Sequence, residues 1–135
     1  MKLSIVVPVY NEKDTLEKII DLVRAVDGIE KEIIIVDDGS TDGSVDIIKR
    51  IGEKYPDIKT VNKGENRGKG HTLKVGFKET TGDYVIIQDA DLEYDPQDYK
   101  KLLAELKNGK ADVIYGSRFS GKYEKMTTLH YLGNK

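Results

Sequence analysis

The sequence contains no cysteine, which excludes disulfide bonds, thiolate zinc sites and cysteine nucleophiles. Histidine is scarce as well, because only His71 and His130 occur, and this argues against a nitrogen-rich zinc site. No apolar run approaches the roughly 20 residues that a membrane-spanning helix needs. The N-terminal stretch MKLSIVVPVYNE becomes polar too early for a signal peptide, so a cytoplasmic protein is expected.

A strong charge of either sign is also missing. The chain has 22 basic and 24 acidic residues and a formal net charge of −2, so no nucleic-acid partner is expected. With 135 residues, of which 38% are hydrophobic and 34% charged, the chain is long enough to bury a core of its own. These values predict one globular domain over residues 1–135.

Short runs rich in β-branched residues alternate with amphipathic helical segments along the chain. The runs predict strands, and the 3.6-residue spacing between them predicts helices. Asp14 followed by Glu17 predicts a capping box at the first helix, and a glycine turn and a further helix are expected beyond Gly116. Strands joined by helices of this length predict an α/β fold with a mostly parallel sheet and helices on both faces. The predicted strands cover residues 3–9, 32–36, 58–61, 84–88 and 112–116.

Three of these strands end in clusters of polar residues, PVYNE (8–12), DDGSTD (37–42) and DADLE (89–93). Each cluster by itself also fits an ordinary loop or a helix cap. In an open α/β sheet, however, ligands bind beyond the carboxyl ends of the strands. The three clusters are therefore expected to meet at one edge of the sheet.

The DAD segment carries the most specific signal. Asp89 and Asp91 point the same way in an extended chain and lie only ~7 Å apart. Two like charges at this distance raise each other's pKa unless a cation is near. Mg²⁺ or Mn²⁺, held by these carboxylates and by substrate phosphates, would supply that cation. A calcium-binding EF-hand is excluded, because Tyr94 and Lys100 stand where glycine and glutamate are required; a solvated acidic turn remains the alternative.

The basic, glycine-containing segment ENRGKG (65–70) precedes a predicted helix, whose backbone N–H groups attract anions. It is neither a Walker A loop nor GxGxxG, so ATP hydrolysis and dinucleotide binding lack their signatures. Taken alone, it fits a surface loop better. Arg118, just beyond the fifth strand, is either a phosphate partner for the same crevice or an ordinary surface arginine.

Together the segments SIVVPVYNE, IIIVDDGSTDGS, NRGKG, GDYVIIQDADLEYDP and ADVIYGSRF resemble, in order and spacing, the family 2 glycosyltransferases with the Rossmann-like GT-A nucleotide-sugar-binding fold. Within that family the sequence is most similar to dolichyl- and polyprenyl-phosphate sugar transferases of the dolichol-phosphate mannose synthase type. The resemblance covers residues 2 to 135. It implies a nucleotide-diphosphate-sugar donor, with GDP-mannose expected first and UDP-glucose next. The nucleotide-contacting positions that it implies are Pro8, Tyr10, Glu12, Val36 and Asp38.

The same resemblance implies the metal and diphosphate contacts. Asp89 and Asp91 match the catalytic DxD motif that positions Mg²⁺ or Mn²⁺ on the donor diphosphate, and Ala90 matches a residue that lines the nucleotide. Glu93 matches a further metal or water contact that is often glutamine in related synthases. Arg118 matches an arginine that contacts the diphosphate.

The implied reaction is an inverting, metal-assisted transfer of mannose or glucose to an acceptor, expected to be a polyprenyl or dolichyl phosphate. Contact with the membrane would be peripheral, and a homo-oligomer remains open. Family members continue past the segment matching LHYLGNK, so residues 1–135 are expected to lack the acceptor-binding part. A nucleotide-sugar-binding module without turnover is therefore one alternative. A sugar nucleotidyltransferase is the other, although PVYNEKDT differs from the glycine-rich basic loop typical of that class.

Overall fold

The computed structural model describes residues 2–91, 96–101 and 104, together with the backbone of residues 113–116 and 123–126. Within these limits the predicted alternation of strands and helices is confirmed. A 3-10 turn at Pro96–Asp98 leads into helical residues at 99–101 and 104, where a fourth helix was predicted. The other elements, in chain order, are β1 (Lys2–Val9), α1 (Leu16–Arg24), β2 (Glu30–Asp37), α2 (Ser44–Lys54), β3 (Lys59–Asn62), α3 (Lys69–Lys78), β4 (Tyr84–Ile87), β5 (Val113–Gly116) and β6 (Tyr123–Met126).

The strands form one sheet in the order β3-β2-β1-β4-β5-β6. The first five are parallel, and β6 pairs antiparallel with β5. The chain builds the sheet outward from β1 in one direction and then returns to add β4 on its other side. The order therefore reverses at the β1–β4 boundary, where open α/β sheets bind their ligands.

Helices cover both faces of the sheet, as predicted. Ile5 and Val7 of β1 are fully buried in a core with the apolar residues of α1 and α2. Val6 points to the opposite face and packs with Phe77 of α3. Gly76 allows α3 to approach closely, because a Cβ atom there would lie 2.6 Å from Cγ1 of Val6. Within the described residues, no helix has the length and apolar character required to cross a bilayer.

One local prediction was wrong. Helix α1 begins at Leu16 and has Thr15, not Asp14, at its N-cap, with no side-chain capping bond among the described residues. A turn closed by the N–H groups of Thr15 and Leu16 on the carbonyl of Glu12 shifts the helix start past Asp14. Beyond Gly116 the structure also has β6, a strand that was not predicted. A segment of four residues is too short for its sequence pattern to predict a strand, and β6 is held by its pairing with β5. The glycine turn and further helix expected in this part of the chain stay predictions, because residues 117–122 and 127–135 lie outside the described part.

Candidate functional site

A cavity of about 380 Å³ opens at the carboxyl ends of β1, β2 and β4. All three predicted polar clusters contribute to it, so their expected meeting at one sheet edge is confirmed. The ENRGKG segment also reaches it, although on its own that segment fitted a surface loop better. The lining residues are Pro8, Val9, Tyr10, Glu12, Asp38, Asn66, Gly68, Lys69, Thr72, Asp89, Ala90 and Asp91.

The loop after β1 is joined to the loop after β2 by side-chain hydrogen bonds. The N–H of Asn11 donates to Oγ of Ser40, and Oδ1 of Asn11 accepts the N–H of Thr41. The N–H of Glu12 donates to Oγ of Ser44, the first residue of α2. These bonds fix the loop that carries the half-exposed Tyr10 and the partly buried Glu12 at the mouth of the cavity.

Asp37 and Asp38 are neighbours with different roles. Oδ2 of Asp37 accepts the N–H groups of Gly39 and Ser40, so Asp37 forms the turn that its sequence context also suggested. Its Oδ1 is buried without a hydrogen-bond partner in the described structure. Gly39 has φ +76°, and a Cβ atom there would lie 2.5 Å from the backbone nitrogen of Asn66. The turn therefore packs directly against the ENRGKG segment.

Asp38 lines the cavity and holds that segment in place. Its Oδ1 lies 2.7 Å from Nζ of Lys63 and accepts the N–H of Arg67, while Oδ2 accepts the N–H of Gly68. Lys63 also donates to Oγ1 of Thr72, at 2.9 Å. Burial opposes the ionisation of Asp38, but these hydrogen bonds and the Lys63 charge outweigh it, so the pKa of Asp38 lies below its ordinary value. Lys63 and Thr72 were not predicted as part of the site.

Besides Asp38, three carboxylates line the cavity. Asp89 and Asp91 follow β4, and Glu12 faces them from the loop after β1. Burial raises the pKa of Glu12, and the negative charges of Asp91 and Asp89 raise it further. Nζ of Lys69, the first residue of α3, lies 2.6 Å from Oδ1 of Asp89. The cavity is thus an acidic site in which Asp38 and Asp89 each pair with a cationic side chain.

Buried contacts position the segment that carries Asp89. The hydroxyl of Thr15 donates a short hydrogen bond to the carbonyl of Ala90 and so links the start of α1 to the DAD segment. The hydroxyl of Tyr99 donates to Oε1 of Gln88 at 2.7 Å, and Nε2 of Gln88 donates to the carbonyl of Asp89. Gln88 and Tyr99 are both almost fully buried. The main chain from 88 to 90 is therefore fixed from two sides.

The carboxylates of the cavity provide some, but not all, of the ligands that a hard divalent cation requires. Carboxylate oxygens are the ligands that Mg²⁺ and Mn²⁺ prefer. No group of three or more metal-binding side chains is preassembled among the described residues. Asp89 and Asp91 would therefore supply a partial set of ligands, of the kind that substrate phosphates complete. The predicted third ligand, Glu93, and the predicted diphosphate contact, Arg118, lie outside the described residues.

One predicted nucleotide contact is not brought to the cavity. Val36 is fully buried, and its Cγ2 would lie 3.3 Å from a Cβ atom at Gly76 of α3. The described lining residues do not include it. Position 36 of β2 points to the α3 face, beneath the loop of Asp38, so a contact of Val36 with the base or ribose stays a prediction.

Comparison with curated proteins gives similar relatives over most of the chain. Dolichol-phosphate mannosyltransferase of Pyrococcus furiosus is 36% identical over 127 residues, which are 92% of this chain and 36% of that protein. Undecaprenyl-phosphate 4-deoxy-4-formamido-L-arabinose transferase of Klebsiella pneumoniae is 35% identical over 117 residues, 84% of this chain and 36% of that protein. The chain thus spans about a third of the length of these relatives.

Solved structures agree with this result. The mannosyltransferase PcManGT of Pyrobaculum calidifontis, in complex with GDP-Man and Mn²⁺, is 35% identical with a TM-score of 0.61, over 66% of this chain and 27% of that one. Glucosyl-3-phosphoglycerate synthase of Mycobacterium tuberculosis, with Mn²⁺, UDP-glucose and phosphoglyceric acid, is 30% identical with a TM-score of 0.65, over 81% and 40%. The expected GT-A fold is confirmed. Residues 4–133 match the family described as glycosyl transferase family 2, and the chain belongs to that family.

Proposed function

We propose that the cavity at the carboxyl ends of β1, β2 and β4 is the donor site of a metal-dependent glycosyltransferase. The observation that carries this proposal is the meeting of Asp89, Asp91 and Glu12 with Lys69 in one cavity at the point where the strand order reverses. A nucleotide diphosphate sugar needs groups of both signs: carboxylates to hold a cation and a lysine to meet phosphate. The site has both within the described residues.

Transfer of the sugar breaks its anomeric C–O bond and leaves a nucleoside diphosphate, on which negative charge builds up. A divalent cation held by Asp89 and Asp91 would neutralise that charge as a Lewis acid. The first turn of α3, beginning after Gly68, presents backbone N–H groups and the positive end of the helix dipole to the cavity. In this proposal the diphosphate departs next to that positive potential, and Tyr10 and Asn66, which line the cavity, contact the nucleoside.

For the finer assignment we propose GDP-mannose or UDP-glucose as donor, Mg²⁺ or Mn²⁺ as cation and a polyprenyl or dolichyl phosphate as acceptor. The relatives named above support these classes. A phosphate acceptor is already anionic, so it needs little help from a general base to displace the diphosphate with inversion. Residues 1–135 are proposed as one donor-binding domain that works with an acceptor-binding part beyond them, peripherally at the cytoplasmic face of a membrane.

Calorimetric titration with GDP and with UDP, each with Mn²⁺ and then with excess chelator, tests the donor site. We expect binding that requires Mn²⁺ and is lost in Asp89→Ala/Asp91→Ala. The control Asp21→Ala/Asp57→Ala removes two exposed acids outside the cavity and should bind like the unmodified chain. Failure of a folded chain to bind either nucleotide would overturn the proposal.

Turnover is tested separately, by incubation with radiolabelled donor and polyprenyl phosphate and extraction of the lipid. Label in the lipid phase supports transfer. Metal-dependent nucleotide binding without labelled lipid would instead favour the alternative, a nucleotide-sugar-binding module. Release of pyrophosphate from a nucleoside triphosphate and a sugar phosphate would identify a nucleotidyltransferase.

A further inference from the structure

Lys69 contacts Asp89, the residue that is proposed above to bind the divalent cation. Nζ of Lys69 lies 2.6 Å from Oδ1 of Asp89, and the side chains are 45% and 21% exposed. Among the described residues that line the cavity, Lys69 is the one with a cationic side chain. Lys63, the nearest alternative, is held by Asp38 and Thr72 and is only 4% exposed. Among the described lining residues, the exposed positive charge is therefore that of Lys69.

A carboxylate oxygen that accepts a charged N–H bond is a weaker metal ligand, because the ammonium competes for its lone pairs and repels a second cation. A divalent ion that binds Oδ1 of Asp89 must therefore displace Lys69. The lysine stem has four rotatable carbons, so the ammonium can leave Asp89 without any movement of α3. Its release from Asp89 leaves a positive charge in the same cavity, where the phosphates of a donor would bind.

We propose that Lys69 is an exchangeable counter-ion of the DAD segment: it pairs with Asp89 before the donor arrives and transfers to the donor diphosphate when the divalent ion takes its place. This inference rests on the proposed donor site. It makes the binding of metal and of nucleoside diphosphate mutually dependent. The metal releases Lys69 for the diphosphate, and the diphosphate draws Lys69 away from Asp89, where it competes with the metal. Such coupling is reciprocal by thermodynamic necessity.

Lys69→Met gives a signature that a purely structural role does not give. Binding of Mn²⁺ alone, followed by the paramagnetic resonance signal of the free ion, should tighten by about 3-fold, the usual size for a half-exposed ion pair. Binding of GDP or UDP at saturating Mn²⁺ should weaken by about 10-fold, since a charge-assisted bond is lost. The two effects have opposite signs. Lys69→Arg, which keeps the charge, should retain most of the coupling.

Lys78→Met is the matched control, because Lys78 is an exposed lysine at the other end of the same helix. It changes the net charge equally and should leave both affinities unchanged. If Lys69→Met weakens Mn²⁺ binding or leaves it unchanged, Lys69 does not compete at Asp89 and the inference is overturned. Failure of the proposed function shows differently, as an unmodified chain that binds no nucleoside diphosphate, while the Mn²⁺ measurement still tests the exchange.

Discussion

Nζ of Lys63 lies 2.7 Å from Oδ1 of Asp38, and the two side chains are only 4% and 7% exposed. A pair this deeply buried is stable only while both charges are present. Because Asp38 also accepts the N–H groups of Arg67 and Gly68, the pair sets the position of the loop that borders the cavity. Its loss should therefore affect both folding and binding.

Lys63→Met removes the positive partner and leaves the carboxylate of Asp38 buried without it. We expect the free energy of unfolding, measured by urea denaturation, to fall by about 3–5 kcal/mol. Lys18→Met, at an exposed position on α1, should change it by less than about 0.5 kcal/mol. A loss at position 63 no larger than the loss at position 18 would show that the pair does not stabilise the fold.

Asp89, Asp91 and Glu12 were predicted from the sequence as site residues, but Lys63 and Lys69 were not, and the reason is geometric. Asp89, Asp91 and Glu12 follow strands directly, and the carboxyl ends of parallel strands meet at one edge. Lys63 reaches Asp38 across 25 positions of sequence, so nothing local marks it as a partner. Lys69 looked like a surface residue, although its place at a helix start after a strand was a usable signal. Side chains two positions apart on a strand point to the same face of the sheet, so Val36 and Asp38 lie on the same face. Only the end of β2 reaches the cavity, so Asp38 lines it and Val36 does not.

Glu32 lies at the opposite edge of the sheet, where it ties β2 to the beginnings of β1 and β4. Burial opposes its ionisation, but hydrogen bonds from Ser4 and Thr81 and the charge of Lys59 prevail and lower its pKa from 4.5 to about 2. A carboxyl group with a lowered folded-state pKa stabilises the fold above its unfolded pKa. This contribution, about 2–3 kcal/mol, should be present above pH 4.5 and be lost as the pH falls toward 2.

Glu32→Gln tests this prediction, because it removes the charge and turns an amide donor toward groups that themselves donate. At pH 7 the free energy of unfolding should fall by about 2–3 kcal/mol, and its dependence on pH between 5 and 3 should become shallower. Glu30→Gln, an exposed residue two positions earlier in β2, is the control. An unchanged slope of stability against pH in the Glu32 variant would contradict the assignment.

Gly39 and Gly28 allow the effect of backbone conformation to be separated from that of close packing. Both have positive φ, +76° and +77°, so alanine is strained at either position by about 1 kcal/mol. At Gly28 no described atom lies within 4 Å of the added Cβ, whereas at Gly39 the Cβ would be 2.5 Å from the nitrogen of Asn66.

Gly39→Ala should therefore displace the loop at 65–66 and weaken Mn²⁺-dependent nucleotide binding by about 10-fold or more, a loss of at least about 1.4 kcal/mol. Gly28→Ala should lower the thermal midpoint slightly and leave nucleotide affinity as it was. Calorimetry and thermal unfolding on the two variants give both quantities. Equal nucleotide affinities in the two variants would mean that the approach of Gly39 to Asn66 does not shape the site.

The hydroxyl of Thr15 tests how strictly the DAD segment must be positioned. It donates to the carbonyl of Ala90, between the two aspartates. Thr15→Val keeps the shape and removes the donor, leaving the Ala90 carbonyl without this partner at a cost of about 1–3 kcal/mol. Metal-dependent binding of nucleoside diphosphate should weaken by about 3- to 10-fold, because both carboxylates shift with the main chain between them.

Thr15→Ser provides the control, because it restores the hydroxyl while removing only a methyl group. Binding measured by calorimetry should return to within about 2-fold of the unmodified chain, a difference well below 1 kcal/mol. The serine variant also separates positioning from helix capping, since Thr15 stands at the N-cap of α1 without a side-chain capping bond there. If valine leaves binding unchanged while serine weakens it, the methyl group rather than the hydrogen bond to Ala90 is what position 15 contributes.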